Sequence, residues 1–252
     1  MIISGRQDIE LLRQGGDKLA RVLRDVSKRV RPGVATRELD LEAERLMREV
    51  GGRPSFKNYR STGAQKPYPS SLCVSVNEEV VHGIPGARVL KEGDIVGLDI
   101  GMEYGGFFTD AAVTVSVGRV DLQKEKLILV TKRALEIAVE SVKPGGHVGD
   151  IGEAVETYVA SEGLDVVREL VGHGVGRAVH EDPEIPNWGK RGRGQELVEG
   201  MVLALEPMVV LGSPRVKMNQ DGWVWSTADG QPAAHFEHTI LVTKNGAEII
   251  TN

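Results

Sequence analysis

An internal echo restricts the fold more than any other feature of the sequence. Glu92-Gly93-Asp94-Ile95-Val96-Gly97-Leu98-Asp99 is answered 107 residues later by Glu199-Gly200-Met201-Val202-Leu203-Ala204-Leu205-Glu206. Each copy opens on a Glu-Gly turn and runs through a small-and-apolar strand to a carboxylate. A second echo, Val30-Arg31-Pro32-Gly33 and Val142-Lys143-Pro144-Gly145, is offset by 112 residues and stands between helical patterns in both places. Glu-Gly is a common opening, so either echo alone is weak. Two echoes in the same order, at nearly equal offsets, favour duplication. Length alone would allow one or two domains. The echoes make the chain one domain, 1–252, built from two α+β halves, roughly 1–118 and 119–252, around one sheet system. Val117-Gly118-Arg119 is too short and too apolar for a linker.

The periodicities fill in these halves. Ile9, Leu12, Leu19, Leu23, Val26 and Val30 recur at helical steps and stop at Arg31-Pro32-Gly33. Thr36 is placed to cap a second helix bearing Leu39, Ala43 and Leu46. Two more helices are predicted over 122–142, capped by Asp121, and over 151–161. Strands are predicted over 72–76, 95–102 and 107–117, with a long loop over 53–71. Asn245-Gly246 signals a late hairpin.

Strand alternation places Asp99 on one face with Gly97 and Gly101, opposite Val96, Leu98 and Ile100. Asp110 shares a face with Ala112 and Thr114. A four-residue turn, Glu103-Tyr104-Gly105-Gly106, would set Asp99 directly across from Asp110. Facing like charges destabilise a sheet, by about 1 kcal/mol at about 4 Å in water and about 4 kcal/mol at a surface-like dielectric. A solvated hairpin face tolerates such a pair, and so does a site where a cation or shared proton relieves it. The duplication favours the site, because Glu206 answers Asp99, and Glu237 lies in a further strand, 235–242. Four carboxylates converging in this way suit a divalent ion. Of six histidines, His173 lies between glycines in Gly172-His173-Gly174-Val175-Gly176-Arg177, His180 follows before Glu181-Asp182-Pro183, and His82 precedes Gly83-Ile84-Pro85. His147 reads as a surface residue near a helix start.

Other chemistries are excluded. His180-Glu181-Asp182-Pro183-Glu184 has Glu where a zincin helix needs its second His. No Gly-x-Ser-x-Gly, dinucleotide fingerprint or Walker A sequence is present. A net charge of −5 argues against a globally basic nucleic-acid binder, so no DNA partner is expected. One basic loop, Lys190-Arg191-Gly192-Arg193-Gly194, reads as a solvated turn or a local RNA contact. The lone cysteine, Cys73, excludes an intrachain disulfide and fits a reducing compartment. No signal peptide or membrane span is evident, so a cytoplasmic protein is expected.

Taken together, Ser75-Val76-Asn77-Glu78-Glu79-Val80-Val81-His82-Gly83-Ile84-Pro85, the Gly93-to-Asp99 strand, the His173 and His180 segments, Glu206-Pro207-Met208 and Phe236-Glu237-His238-Thr239-Ile240 closely resemble the type I methionine aminopeptidases, over nearly the whole chain. The resemblance implies the pita-bread (creatinase/aminopeptidase) fold, with two pseudo-symmetric halves around a curved antiparallel sheet. It also implies removal of the initiator methionine from nascent peptides with a small second residue. The metal ligands it implies are Asp99, Asp110, His173, Glu206 and Glu237. Asp110 and Glu237 would bridge two divalent ions (Co, Mn, Fe or Zn) that share a water or hydroxide. Glu206 would also move the proton, and His82 and His180 would contact the substrate amide. Tyr68, Cys73, Val179 and Trp223 would form the methionine pocket, and Asn77 would orient the loop before His82. A monomer is expected, with a transient ribosome contact through 190–194.

The sequence departs from that family's pattern at several places. Gly101 stands where many members carry Thr, and Phe108-Thr109 where they have His-Gly. Val179 stands where an aromatic is usual. His235 replaces a frequent Gln, on the strand face of Glu237; it is expected to hydrogen-bond near the ligands, with direct ligation the alternative. The loop over 57–68 is longer than usual. Two other readings remain: an X-Pro aminopeptidase or prolidase of the same fold, and a non-catalytic binding module that kept the fold.

Overall fold

The computed structural model describes residues 2–60 and 66–252. The first half opens with α1 (Arg6–Ser27) and α2 (Thr36–Glu49), then β1 (Arg53–Pro54), β2 (Leu72–Val76), β3 (Glu79–Val81), β4 (Ile95–Tyr104) and β5 (Phe107–Ser116). The second half repeats the order: α3 (Leu122–Ser141) and α4 (Val148–Ser161), then β6 (Asp165–Val166), β7 (Gly172–Gly174), β8 (Glu181–Ile185), β9 (Val202–Leu205) and β10 (Met208–Val210). It closes with β11 (Val216–Met218), β12 (Trp225–Thr227), β13 (Ala233–His235), β14 (Glu237–Thr243) and β15 (Gly246–Ile249).

The helices exist to cover a sheet. Leu12, Leu19, Leu23 and Val26 of α1 are all buried, at steps of seven, four and three, and the helix lies on β4 and β5. One core joins α1 and α2 to Val96, Leu98 and Ile100. A second joins α3 and α4 to Leu203, Leu205 and Ile240. Alternation therefore turns the apolar side chains of the central strands toward the helices and Asp99 toward the other face.

The main antiparallel sheet runs β1-β4-β5-β14-β9-β7-β8, with β2 also on β4 and β15 on β14. The halves meet where β14 pairs β5, Glu237 beside Ala112 and His238 beside Ala111. Two threonines clamp that seam. Thr239 Oγ1 accepts from Asp110 N and donates to Asp110 O, each at 2.8 Å. Thr114 Oγ1 accepts from His235 N at 2.9 Å and donates to His235 O at 2.8 Å.

Several local expectations are corrected. The β4–β5 turn is the two-residue Gly105-Gly106, both at positive φ, with Tyr104 paired to Phe107. The register accordingly pairs Asp99 with Ala112 and Asp110 with Gly101. The two aspartates are diagonal neighbours, not direct partners. They keep a common face because the slip is two residues, an even number. Thr36 does not cap α2: it is the first helical residue, and its hydroxyl accepts from Gly86 N at 2.9 Å. Ala35 holds the cap position, and its N–H donates to Glu38 Oε1 at 3.0 Å. Asp121 does cap α3, accepting from Gln123 N and Lys124 N. The strand expected over 235–242 is broken at Phe236, where the chain passes from β13, paired with β10, into β14. In the last hairpin Thr243 pairs Gly246, so Lys244-Asn245 is the turn, one residue earlier than expected.

Candidate metal centre

Asp99 and Asp110 come from adjacent strands of the first half. Glu206 directly follows β9, and Glu237 opens β14. His173 is the middle of β7, whose glycines are needed: a Cβ on Gly172 would lie 2.4 Å from Ala204 O, and one on Gly174 2.2 Å from Asp182 O. Asp110, His173 and Glu237 offer ligand atoms all within 4.8 Å of one another. His173 Nε2 stands 3.5 Å from Glu206 Oε1, and the Asp99 and Asp110 carboxyls adjoin. The five residues named from the sequence are thus brought together, at one end of a cavity of about 420 Å³.

The electrostatics of this end call for a cation. No lysine or arginine lines the cavity among the described residues. Burial raises the Asp110 carboxyl well above its ordinary value, and Asp99 and Glu206 push it further. Burial likewise raises Glu237, helped by Asp110. Asp99 is held at about 6, raised by burial and drawn back by His235. Burial also opposes ionisation of Glu206, but His235 and His173 outweigh it and the net shift is downward. Asp99 Oδ1, Asp110 Oδ1 and Glu237 Oε1 are buried without a hydrogen-bond partner, an arrangement a protein rarely leaves unrelieved. His173 Nδ1 donates to Gly174 O at 2.9 Å, which fixes the ring and leaves Nε2 as the atom directed at Glu206. An imidazole nitrogen and a carboxylate oxygen 3.5 Å apart offer a seat to a positive ion. Hard carboxylate oxygens and an imidazole fit a divalent transition ion.

Aromatics wall the rest of the cavity. Tyr68, Cys73, Val179 and Trp223 pack into one buried apolar cluster, joined by Phe56. Tyr68 and Trp223 meet edge to face with centroids 5.3 Å apart, and Tyr68 OH donates to Gly83 O at 2.8 Å. Burial and the neighbouring Cys73 raise the Tyr68 pKa. Burial first and Asp99 second raise that of Cys73, which registers directly against Asp99. His82, in the left-handed region at φ 58, lines the cavity. Its pKa is lowered, by burial first. The His180 ring lies tilted at 60° to that of His173 with centroids 4.3 Å apart, and desolvation with that neighbour lowers its pKa also. Asn77 fixes the turn before His82 by donating to Asp94 Oδ1 at 2.8 Å and accepting from Ile95 N at 3.0 Å.

Some lining residues were not identified from the sequence. Phe56, Tyr59, Met218 and Trp225 also face the cavity. Tyr59 OH lies 2.7 Å from His180 Nδ1. Asn187 Nδ2 donates to Glu206 O at 3.0 Å. Aromatic scarcity was the available signal: the chain has only eleven, and Phe56, Tyr59, Tyr68, Trp223 and Trp225 are five of them. The departures also find places. A Cβ on Gly101 would lie 2.2 Å from Ser55 Oγ and 2.5 Å from the Phe56 ring, so these two side chains fill the space a Thr there would need. The long loop leaves from Tyr59 and returns at Tyr68, which bond through Tyr68 N to Tyr59 O at 2.8 Å. Its residues 61–65 lie outside those described.

The model of metallopeptidase family M24 matches residues 10–244. A methionine aminopeptidase of Clostridium perfringens is 45% identical over 100% of this chain and 98% of its own length. The crystal structure of a methionine aminopeptidase from Thermotoga maritima superposes with a TM-score of 0.95 at 46% identity, covering all of both chains. A prolidase from Pyrococcus horikoshii shares the fold more distantly, with a TM-score of 0.76 at 24% identity, over 63% of that chain and all of this one. The pita-bread architecture, the convergent carboxylates and full-length similarity to aminopeptidases rather than prolidases agree on one assignment: the chain belongs to metallopeptidase family M24 and, within it, to the methionine aminopeptidases.

Proposed function

We propose that this chain removes the initiator methionine from nascent peptides whose second residue is small, in the cytoplasm, with two divalent ions held by Asp99, Asp110, His173, Glu206 and Glu237. The observation that carries this reading is the pairing of a buried, cation-seeking carboxylate end with an aromatic-walled pocket in one cavity. Asp99, Asp110, His173, Glu206 and Glu237, which converge on the same cavity, would together hold the ions. Bound ions would supply Lewis-acid polarisation of the scissile carbonyl and make water acidic enough to yield a proton near neutral pH.

The chain's own residues do the rest. The peptide's free α-amine would engage this ion-holding end, which would restrict cleavage to the first residue. Tyr68, Phe56 and Trp223 contact the thioether, an interaction sulfur and aromatic rings favour. Cys73 completes that wall, with Val179 packed in the same apolar cluster. Glu206 accepts the proton of the attacking water and returns it to the leaving amine. His82 and His180, both kept neutral by desolvation, donate to the carbonyl oxygen as charge develops there.

The unpaired, buried Cys73 supports a reducing compartment, and among the described residues no helix is long and apolar enough to cross a membrane. The exposed Lys190, Arg191 and Arg193 beside the start of α4 support a transient ribosome contact by a monomeric enzyme. The test is methionine release from Met-Ala-Ser by apoprotein reconstituted separately with Mn, Fe, Co and Zn, with Ala-Pro-Ala as the competitor. Release from Met-Ala-Ser with at least one metal, and none after chelation, is expected. Activity undiminished by thorough chelation, or preference for Ala-Pro-Ala, overturns the reading.

A further inference from the structure

Glu206 is asked to do two things at once, to ligate and to move a proton, and its two oxygens face different partners. Oε1 lies 3.5 Å from His173 Nε2, inside the ligand group. Oε2 lies 3.3 Å from Nε2 of His235, a residue only 3% exposed. That nitrogen is buried and makes no hydrogen bond of good geometry, Glu206 Oε2 at 3.3 Å being the carboxylate oxygen within ion-pair reach of it. Nitrogen and carboxylate at this separation attract only if the nitrogen bears a hydrogen.

The frame around the pair is rigid. Thr114 holds both the N–H and the carbonyl of His235, at 2.9 and 2.8 Å. Asn187 holds the Glu206 carbonyl at 3.0 Å. The ring therefore approaches Glu206 from an anchored main chain, and the Glu206 main chain is held in turn by Asn187.

We propose that His235 is a positioning residue: its Nε2–H holds Glu206 Oε2 and so reserves Oε1 for the ion seat shared with His173. This rests on the proposed function. It separates the two roles the sequence left open, because a nitrogen that spends its hydrogen on Glu206 has no lone pair left there for an ion. It also accounts for the replacement of a frequent Gln, since a glutamine amide at this position can donate to the same oxygen, with one more rotatable bond to immobilise.

The test uses the full chain, wild type and three variants: His235→Ala, His235→Asn, whose amide is too short to reach, and His235→Gln. Mn²⁺ binding to each apoprotein is measured by calorimetry, and kcat and KM are measured on Met-Ala-Ser. In the Ala and Asn variants, affinity for one ion and kcat are expected to fall about 10- to 100-fold, with KM for the peptide nearly unchanged. The Gln variant is expected to regain most of both. Should Ala and Asn match wild type on both readouts, the positioning role is wrong. Should Gln, folded and equally stable, be as impaired as Ala, then His235 is a ligand and the proposal is overturned. A wild type that binds no Mn²⁺ or releases no methionine overturns the proposed function itself, and this role with it.

Discussion

Asp110 illustrates how a residue can be costly to the fold and necessary to the site. Its carboxyl is buried against Asp99 and Glu206, and all three effects disfavour its charge. An asparagine is a neutral isostere that keeps the shape and the backbone hydrogen bond to Thr239. Asp110→Asn should therefore leave the apoprotein at least as stable as wild type by thermal melting, while methionine release falls by at least about 100-fold. Stability and activity falling together would make Asp110 a structural residue. Tyr59 makes a finer prediction. Its hydroxyl meets His180 Nδ1 at 2.7 Å, and its ring lies 5.1 Å from the imidazole. Tyr59→Phe removes only the hydroxyl, so the ring still lines the pocket. A single hydrogen bond contributes about 0.5–1.5 kcal/mol, and kcat should fall about 2- to 10-fold with KM little changed. A rise in KM at constant kcat would instead place Tyr59 in binding alone. The Tyr59–His180 contact was not legible in the sequence; for His235 a hydrogen bond near the ligands was expected, but its partner was not identified. Tyr59 and His180 are 121 positions apart, and nothing in periodicity specifies a contact between two loop residues at that range. Asp99 was legible because it lies within a strand whose alternation is unambiguous, and Glu206 because the internal echo answers Asp99 there.

At the scale of elements, the hairpin shows where sequence reasoning stops. Gly105-Gly106 marks the turn, but the number of residues leaving the ladder decides the register, and that depends on left-handed φ at both glycines. The aspartates kept their common face only because the error was an even number of residues. The start of α4 shows a similar gap. Apolar periodicity placed it near Ile151, whereas the helix begins at Val148, where the chain gives little apolar signal. Asp150 sets that start: it accepts from His147 N at 2.9 Å and from Gly192 N at 2.7 Å, tying the helix to the basic loop. These two backbone donors, the Gly192 bond first, hold its pKa below the ordinary carboxylate value. A depressed acid stabilises the fold above its unfolded pKa, and that contribution disappears as pH falls through the folded value. Asp150→Ala should thus cost about 1 kcal/mol at neutral pH. The gap from wild type should close in acid, below about pH 3.8. A gap that widens toward low pH in chemical denaturation would show that the hydrogen bonds are not the cause.

Across the whole molecule, the site and the seam are the same place. The halves join in the main sheet through a short β5–β14 pairing at Ala111 and Ala112, reinforced by the Thr239–Asp110 and Thr114–His235 clamps. Asp99 and Asp110 stand on one side of that seam, His173, Glu206 and Glu237 on the other. Without a counter-ion, their crowded carboxylates press on one of the shortest pairings in the sheet. Ions seated there would tie the halves together, and two divalent cations would take the formal charge from −5 to −5 + 4 = −1. Binding to the folded state alone stabilises it by about 4.1 kcal/mol at 1,000 times Kd, and each kcal/mol raises Tm by about 2–4 °C in a domain near this size. Chelation should lower Tm by about 8–16 °C per tightly bound ion, and titrating Mn²⁺ back should restore it with saturation. Because the stabilisation is localised, hydrogen exchange should slow on metal addition at Asp110, Ala111, Glu237 and His238, while the amides of α1 and α3 change little. Uniform slowing across both helices would mean that the ions stabilise each half independently and that the seam is not where they act.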